Sequence, residues 1–293
     1  MGETTAIQWT DHTFNPWIGC TKVHTGCTNC YAEKLGAARL GVRWGDKADR
    51  RVTADSTWKH PQRWANAAKR AGVRRRVFCA SLADVLDERA PEQAQARLWD
   101  VIRNTAAALD WQLLTKRPDR WRLIPEDVRP LVWLGTSIAD QKTAGEWISH
   151  LLGADGFAKR FISAEPLVGP VDFNACGAWH PSMHDLYLEG IDWVIVGGES
   201  GPGARPFDLA WARKIVEQCA HAKVPCFVKQ MGARAWCGSD ESDVWEVDTE
   251  RRVLATKDKK GGDWSEWPAD LRVREFPVDA CVECGDTAEG AKP

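Results

Sequence analysis

Tyrosine and methionine are scarce: the 293 residues hold two Tyr and three Met, against seventeen Trp and ten Cys. No apolar run comes near the roughly 18 residues that a membrane span needs. Residues 1–10 have neither the basic nor the apolar region of a secretory signal. Neither sign of charge dominates, since 39 Lys and Arg face 41 Asp and Glu. That balance excludes a strongly acidic or basic chain, though not a basic face. These absences predict a protein of the reducing cytoplasm with no membrane contact, where cysteines serve metals more often than disulfides.

What is present describes a globular chain, 44% hydrophobic and 27% charged, long enough for one large domain or two small ones. The many Trp supply core material and also indole faces for stacking on flat rings. Cys79, Cys176, Cys219 and Cys226 stand singly in apolar or mixed surroundings and read as small buried hydrophobes.

Short apolar segments recur, and polar residues follow each one. Residues 77–80 run into Ser81-Leu82-Ala83-Asp84, and 111–114 into Thr115-Lys116-Arg117-Pro118. Residues 132–135 precede Thr136-Ser137, and 160–162 precede Ser163-Ala164-Glu165-Pro166. Residues 193–196 lead to Gly197-Gly198-Glu199-Ser200-Gly201, and 226–228 to Lys229-Gln230. Helical spacing of apolar residues predicts helices near 31–40, 91–109, 142–152 and 209–222, with another opening around Trp58-Lys59-His60-Pro61. Counting the segment before Cys20, about seven strands alternate with helices, which predicts parallel pairing buried on both faces. The expected fold class is α/β, a full or partial (βα) TIM-like barrel. Its polar strand ends would line one mouth, and an open doubly wound sheet is the alternative. A single domain over 1–277 is expected, with insertions near 172–190 and 232–262, the second read as a solvated loop. Residues 278–293 are composed like a flexible tail.

Cys20, Cys27 and Cys30 make a C-x6-C-x2-C pattern. Three thiolates within eleven positions suit one inorganic centre. A structural zinc site takes four ligands, for which His24 or the distant pair Cys281 and Cys284 could serve. An iron–sulfur cluster suits three ligands if one iron is left open to a small molecule. Spacing alone leaves both open.

The run Asn15-Pro16-Trp17-Ile18-Gly19-Cys20-Thr21-Lys22-Val23, continued by Gly26-Cys27-Thr28-Asn29-Cys30-Tyr31-Ala32-Glu33, closely resembles phage-associated three-cysteine-motif proteins, which are similar to the radical S-adenosylmethionine (SAM) superfamily. The likeness continues through Thr115–Pro118, Trp133-Leu134-Gly135-Thr136-Ser137, Ser163–Leu167, Val194–Gly203 and Phe227-Val228-Lys229-Gln230. It implies a partial or complete barrel of the radical SAM type and a [4Fe–4S] cluster held by Cys20, Cys27 and Cys30. It also implies SAM at the open iron, cleaved reductively to a 5′-deoxyadenosyl radical, and an electron donor protein of flavodoxin or ferredoxin type in a bacterial host cytoplasm. The superfamily's usual first gap is three residues, where this chain has six. Its Gly-Gly-Glu run usually follows the second strand, whereas Gly197-Gly198-Glu199 follows a much later one.

Other strand-end residues are candidates for ligands. Gly197 and Gly198 would let a backbone approach a ligand, with Glu199 taking an amino group or a ribose; a turn with a capping Glu is the plainer reading. Lys116 and Arg117 are candidates for the SAM carboxylate or a substrate phosphate, or belong to a solvated loop. Ser137 is a further cofactor-binding candidate, or, like Ser81, Asp84 and Asp140, a helix cap. Glu165 and Lys229 are the catalytic candidates, or form an ion pair inside the barrel. Arg74, Arg75 and Arg76, with Trp58 and Trp64, are candidates for tracking a phosphate backbone and stacking bases, or make a solvated face. The expected reaction is hydrogen abstraction from a nucleobase or hypermodified nucleotide, in phage DNA or free, followed by rearrangement or C–C bond formation. A zinc-binding or iron–sulfur nucleic-acid-binding module without radical chemistry is the alternative.

Overall fold

The computed structural model describes residues 5–175, 188–237 and 256–278. Cys176, Cys281, Cys284 and most of both expected insertions lie outside the described residues.

Seven strands form one sheet: β1 (His12–Phe14), β2 (Arg75–Cys79), β3 (Leu109–Thr115), β4 (Val132–Ile138), β5 (Lys159–Ala164), β6 (Trp193–Gly197) and β7 (Cys226–Gln230). They stand side by side in chain order, and every neighbouring pair is parallel. Parallel crossovers share one hand, so an order that never reverses puts all connections on one face and curls the sheet. A doubly wound sheet would reverse its order partway. The first and last strands do not pair with each other, which makes this a partial barrel.

Local chemistry sets the helices that cover its outside. α1 (Tyr31–Leu35) continues into a π turn and stops at Gly41, whose φ of +60° suits glycine. α2 (His60–Ala71) starts with Pro61 and buries Trp64, Ala65 and Ala68. α3 (Glu92–Thr105) buries Leu98, Trp99 and Ile102. α4 (Gln141–Leu152) opens on a capping box between Asp140 and Thr143, and α5 (Leu209–Ala222) on Asp208.

Alternation along the strands divides the core in two. Val77, Cys79, Leu113, Leu134, Ile162, Val194 and Val228 pack outwards under the helices. Phe78, Trp133, Phe161, Trp193, Ile195 and Phe227 face inwards and close around Trp9, from the segment before β1. The Trp9 ring lies 4.7 Å from Phe78 and 6.1 Å from Trp193. This aromatic plug fills the concave face of the sheet. Further along the same strands the inward positions become Ala80, Ser137, Ser163, Glu165 and Lys229, and space opens.

The open edge of β7 is covered by residues 273–275. The Val228 N–H donates to the Val273 carbonyl and the Glu275 N–H to the Cys226 carbonyl, while Arg274 reaches Gln8 in the N-terminal segment.

Candidate active site

The loop after β1 carries all three candidate cysteines, and Cys20, Cys27 and Cys30 border a single cavity of about 760 Å³ at the carboxyl ends of the strands. Neighbouring strand ends tie this loop down. From beyond β2, the Ser81 carbonyl accepts from the Tyr31 hydroxyl at 2.8 Å. From beyond β3, Arg117 donates to the Thr21 carbonyl at 3.0 Å and points Nη1 at Cys20 Sγ, 3.8 Å away. Beyond β4, Asp140 accepts from the Thr25 hydroxyl at 2.8 Å. Beyond β6, Glu199 accepts from Asn29 at 3.0 Å, and Arg205 donates to the Thr25 carbonyl at 2.8 Å. A buried ion pair, Arg50 with Asp87 at 2.8 Å, adds a bond from Arg50 to the Thr21 hydroxyl. The six residues between Cys20 and Cys27 therefore form a built loop. Its 3₁₀ turn, Thr25–Cys27, docks between Asp140 and Arg205.

Burial, reinforced by Asp84 and opposed by Arg117, pushes the Cys20 thiol up to about 12. Arg117 is itself buried and paired with Asp84 at 3.2 Å. That arrangement leaves a fixed cation beside a sulfur, which suits a thiolate once a metal replaces its proton. All three cysteines are free thiols. Among the described residues, no three His, Cys, Asp or Glu side chains converge closely enough for one metal ion. Three thiols on one cavity are too few donors for a closed four-ligand zinc site and match in number the protein ligands of a cluster with one open iron. His24 does not join the cysteines. Its Nδ1 accepts from the Gly26 N–H at 2.9 Å, and the ring does not border the cavity.

The other strand-end residues divide into two groups. Facing the cavity are Lys116, Ser137, Ser163, Glu165 and Lys229. Glu165 and Lys229 form an ion pair of 2.8 Å, with Ser163 Oγ 3.4 Å from the other carboxylate oxygen. They meet at the cavity wall, so the expected internal pair and the expected site are one feature.

Arg117 and Glu199 form the second group, whose polar atoms are already engaged by protein partners, although Glu199 also borders the cavity. Glu199 takes a two-pronged bond from Arg205, at 2.7 and 3.1 Å, besides the Arg205 N–H and Asn29. Burial alone would raise its pKa, but these donors hold the carboxyl below the usual range. Gly198 borders the cavity, and both glycines also stand close against neighbouring protein atoms. A Cβ on Gly198 would sit 2.5 Å from the Met231 carbonyl oxygen and 2.9 Å from Phe207, and one on Gly197 would sit 2.9 Å from Glu165 Oε1. They let chain pack against chain.

Sequence reasoning gave Arg205 and Asn29 no role, and it took for solvated loop the end of the second insertion, which borders the cavity. Asp258, Lys260, Gly262 and Asp263 return to the cavity wall, held by Met231 N–H donating to the Gly261 carbonyl and by two N–H bonds to Asp258. The Gly261-Gly262 pair between Asp258 and Asp263 is a turn signature that could have flagged it.

The expected nucleic-acid platform is not assembled. Trp58 and Trp64 are 4% and 8% exposed; one packs against Phe14 and the other stacks on His12. Buried indoles have no face to offer a base. Arg74 pairs with Asp110, and Arg75 and Arg76 pair with Asp11. All three precede or begin β2, at the opposite end of the barrel from the cysteines.

A family profile described as a protein of unknown function (DUF5131) matches residues 4–268. The chain belongs to the DUF5131 family. No curated protein matches this DUF5131 chain in sequence. Its fold has a distant likeness to a solved mutant of spore photoproduct lyase with bound AdoMet and dinucleoside spore photoproduct. The TM-score is 0.41 and the identity 16%, over 64% of this chain and 56% of that one.

Proposed function

We propose that this chain is a radical SAM enzyme. The observation that carries the reading is the convergence of Cys20, Cys27 and Cys30, from one loop after the first strand of a partial barrel, on the cavity that the polar strand ends face. The three cysteines would hold a [4Fe–4S] cluster with one iron open to SAM. When bound, cluster and SAM would supply a hydrogen-abstracting radical, with electrons from a flavodoxin- or ferredoxin-type protein. Arg117 offsets the charge of the Cys20 thiolate. Lys116, whose ammonium has no carboxylate partner among the described residues, suits the SAM carboxylate or a substrate phosphate, with Ser137 beside it on the wall. Glu165 and Lys229 orient the substrate and hold protons where the bond is made or broken.

The substrate we propose is a nucleobase or hypermodified nucleotide, in DNA or free, undergoing rearrangement or C–C bond formation. Tyr31 and Trp44, which border the cavity without being buried, support a flat-ring ligand. Anaerobic purification tests the reading. The expected protein is brown, carries about four irons, and releases 5′-deoxyadenosine when given SAM and a strong reductant. A colourless protein with stoichiometric zinc sinks the reading in favour of a binding module. An iron–sulfur protein that releases no 5′-deoxyadenosine, with or without DNA, is a sensor. Glu165→Gln and Lys229→Met should each keep the cluster and lower product formation by about 100-fold, read against iron content.

A further inference from the structure

The Gly197-Gly198-Glu199 run ends in a carboxylate that borders the cavity and is held by several protein donors. Arg205 Nη2 lies 2.7 Å from Oε1, and Arg205 Nε and N–H lie 3.1 and 2.9 Å from Oε2. Asn29 Nδ2 shares Oε2 at 3.0 Å and also donates to the Gly203 carbonyl at 2.9 Å. The remaining Nη1 of Arg205 donates to the Thr25 carbonyl. Thr25 opens the turn that delivers Cys27, and Asn29 stands between Cys27 and Cys30. A guanidinium has five donors in a fixed plane, so bonding Glu199 and Thr25 at once fixes their relative placement.

We propose that Arg205 is a positioning residue for the sulfur ligands. Together with Glu199 it clamps the loop on both sides of Cys27, and Glu199 serves the cysteines instead of a bound small molecule. The purpose of this clamp rests on the cluster reading, but its geometry does not.

The test uses the full chain with Arg205→Ala, Arg205→Lys, Glu199→Gln, Asn29→Ala and the Arg205→Ala/Glu199→Gln pair. Alkylation of each cysteine by iodoacetamide is followed in the metal-free protein by mass spectrometry. Anaerobically reconstituted samples are compared by iron content, by the low-temperature EPR spectrum of the reduced state, and by SAM affinity of the loaded fraction. Losing one charge-assisted bond should speed Cys27 alkylation roughly tenfold and leave Cys20 unchanged. Arg205→Ala and Glu199→Gln should both lose iron and alter the EPR spectrum, with Arg205→Lys restoring part of each. The double variant should be no worse than either single one, and SAM affinity should stay within about twofold.

Glu199→Gln with wild-type alkylation and EPR but weakened SAM binding would overturn the proposal, because it would make Glu199 a ligand carboxylate. Unchanged Cys27 alkylation in every variant would overturn it too. Should Arg205→Ala fail to fold by circular dichroism, Asn29→Ala leaves the ion pair intact and carries the same alkylation test. Alkylation needs no metal, so a chain that binds no iron would end the cluster reading and still leave the clamp decided.

Discussion

His24 shows how closely the cysteine loop is built. Burial, with the charge of Lys116 adding to it, lowers its pKa from 6.5 to about 3. The imidazole is thus neutral in the fold, and its Nδ1 accepts from Gly26. Between those values the unfolded chain binds the extra proton. The contribution to stability is therefore complete above about pH 6.5 and is lost as the pH falls towards 3. The unfolding midpoint in urea should drop from pH 7 to pH 5, and His24→Gln, which can still accept from Gly26, should flatten that slope. An equal slope in the variant would place the titrating group elsewhere. The Arg50–Asp87 pair, with side chains 0% and 1% exposed, makes a sharper claim. Asp87→Ala should cost about 3–5 kcal/mol by leaving a buried guanidinium unpaired, measured by urea unfolding. That the three cysteines share one place was legible from sequence because their spacing is local. Glu199 was legible as a cavity residue, but its partner Asn29 was not, since it lies 170 positions away.

At the scale of elements, β4 explains a glycine that sequence treated as a strand end. A Cβ on Gly135 would meet the Phe161 ring at 2.3–2.5 Å, because β4 and β5 pair Gly135 with Phe161 across the inner face. Gly135→Ala should destabilise by about 1–3 kcal/mol through overpacking, and Gly135→Ala/Phe161→Leu should recover most of it in the same unfolding assay. No recovery would mean that the strain lies in the backbone. The seven strands, and helices such as Leu209–Ala222, follow from apolar periodicity and caps, which act over a few residues. The cysteine loop obeys no such period. Its six-residue gap has a reason only once Asp140 and Arg205 are seen to hold it from either side.

Across the whole molecule, the cysteine-lined cavity lies at one end of the barrel and the paired arginines at the other. Replacing Arg74, Arg75 and Arg76 with Ala should leave the salt dependence of DNA binding unchanged, because each already faces a carboxylate. A flatter salt slope in the variant would return that run to a nucleic-acid surface. The plug is a global feature as well: Trp9→Ala should cost about 3–5 kcal/mol and deepen the cavity, read by unfolding and by uptake of a hydrophobic dye. Among the described residues no helix is long and apolar enough to cross a membrane. By itself the sequence determined the number of strands in the main sheet, the parallel α/β class, the clustering of three cysteines and the end of the barrel where polar residues gather. Each of those is encoded in neighbours along the chain. Only the tertiary structure decided which polar residues face the cavity and which are taken up in holding the loop, and which indoles are core. Those outcomes depend on partners brought together from distant strand ends, and periodicity carries no information about a contact that spans 170 residues.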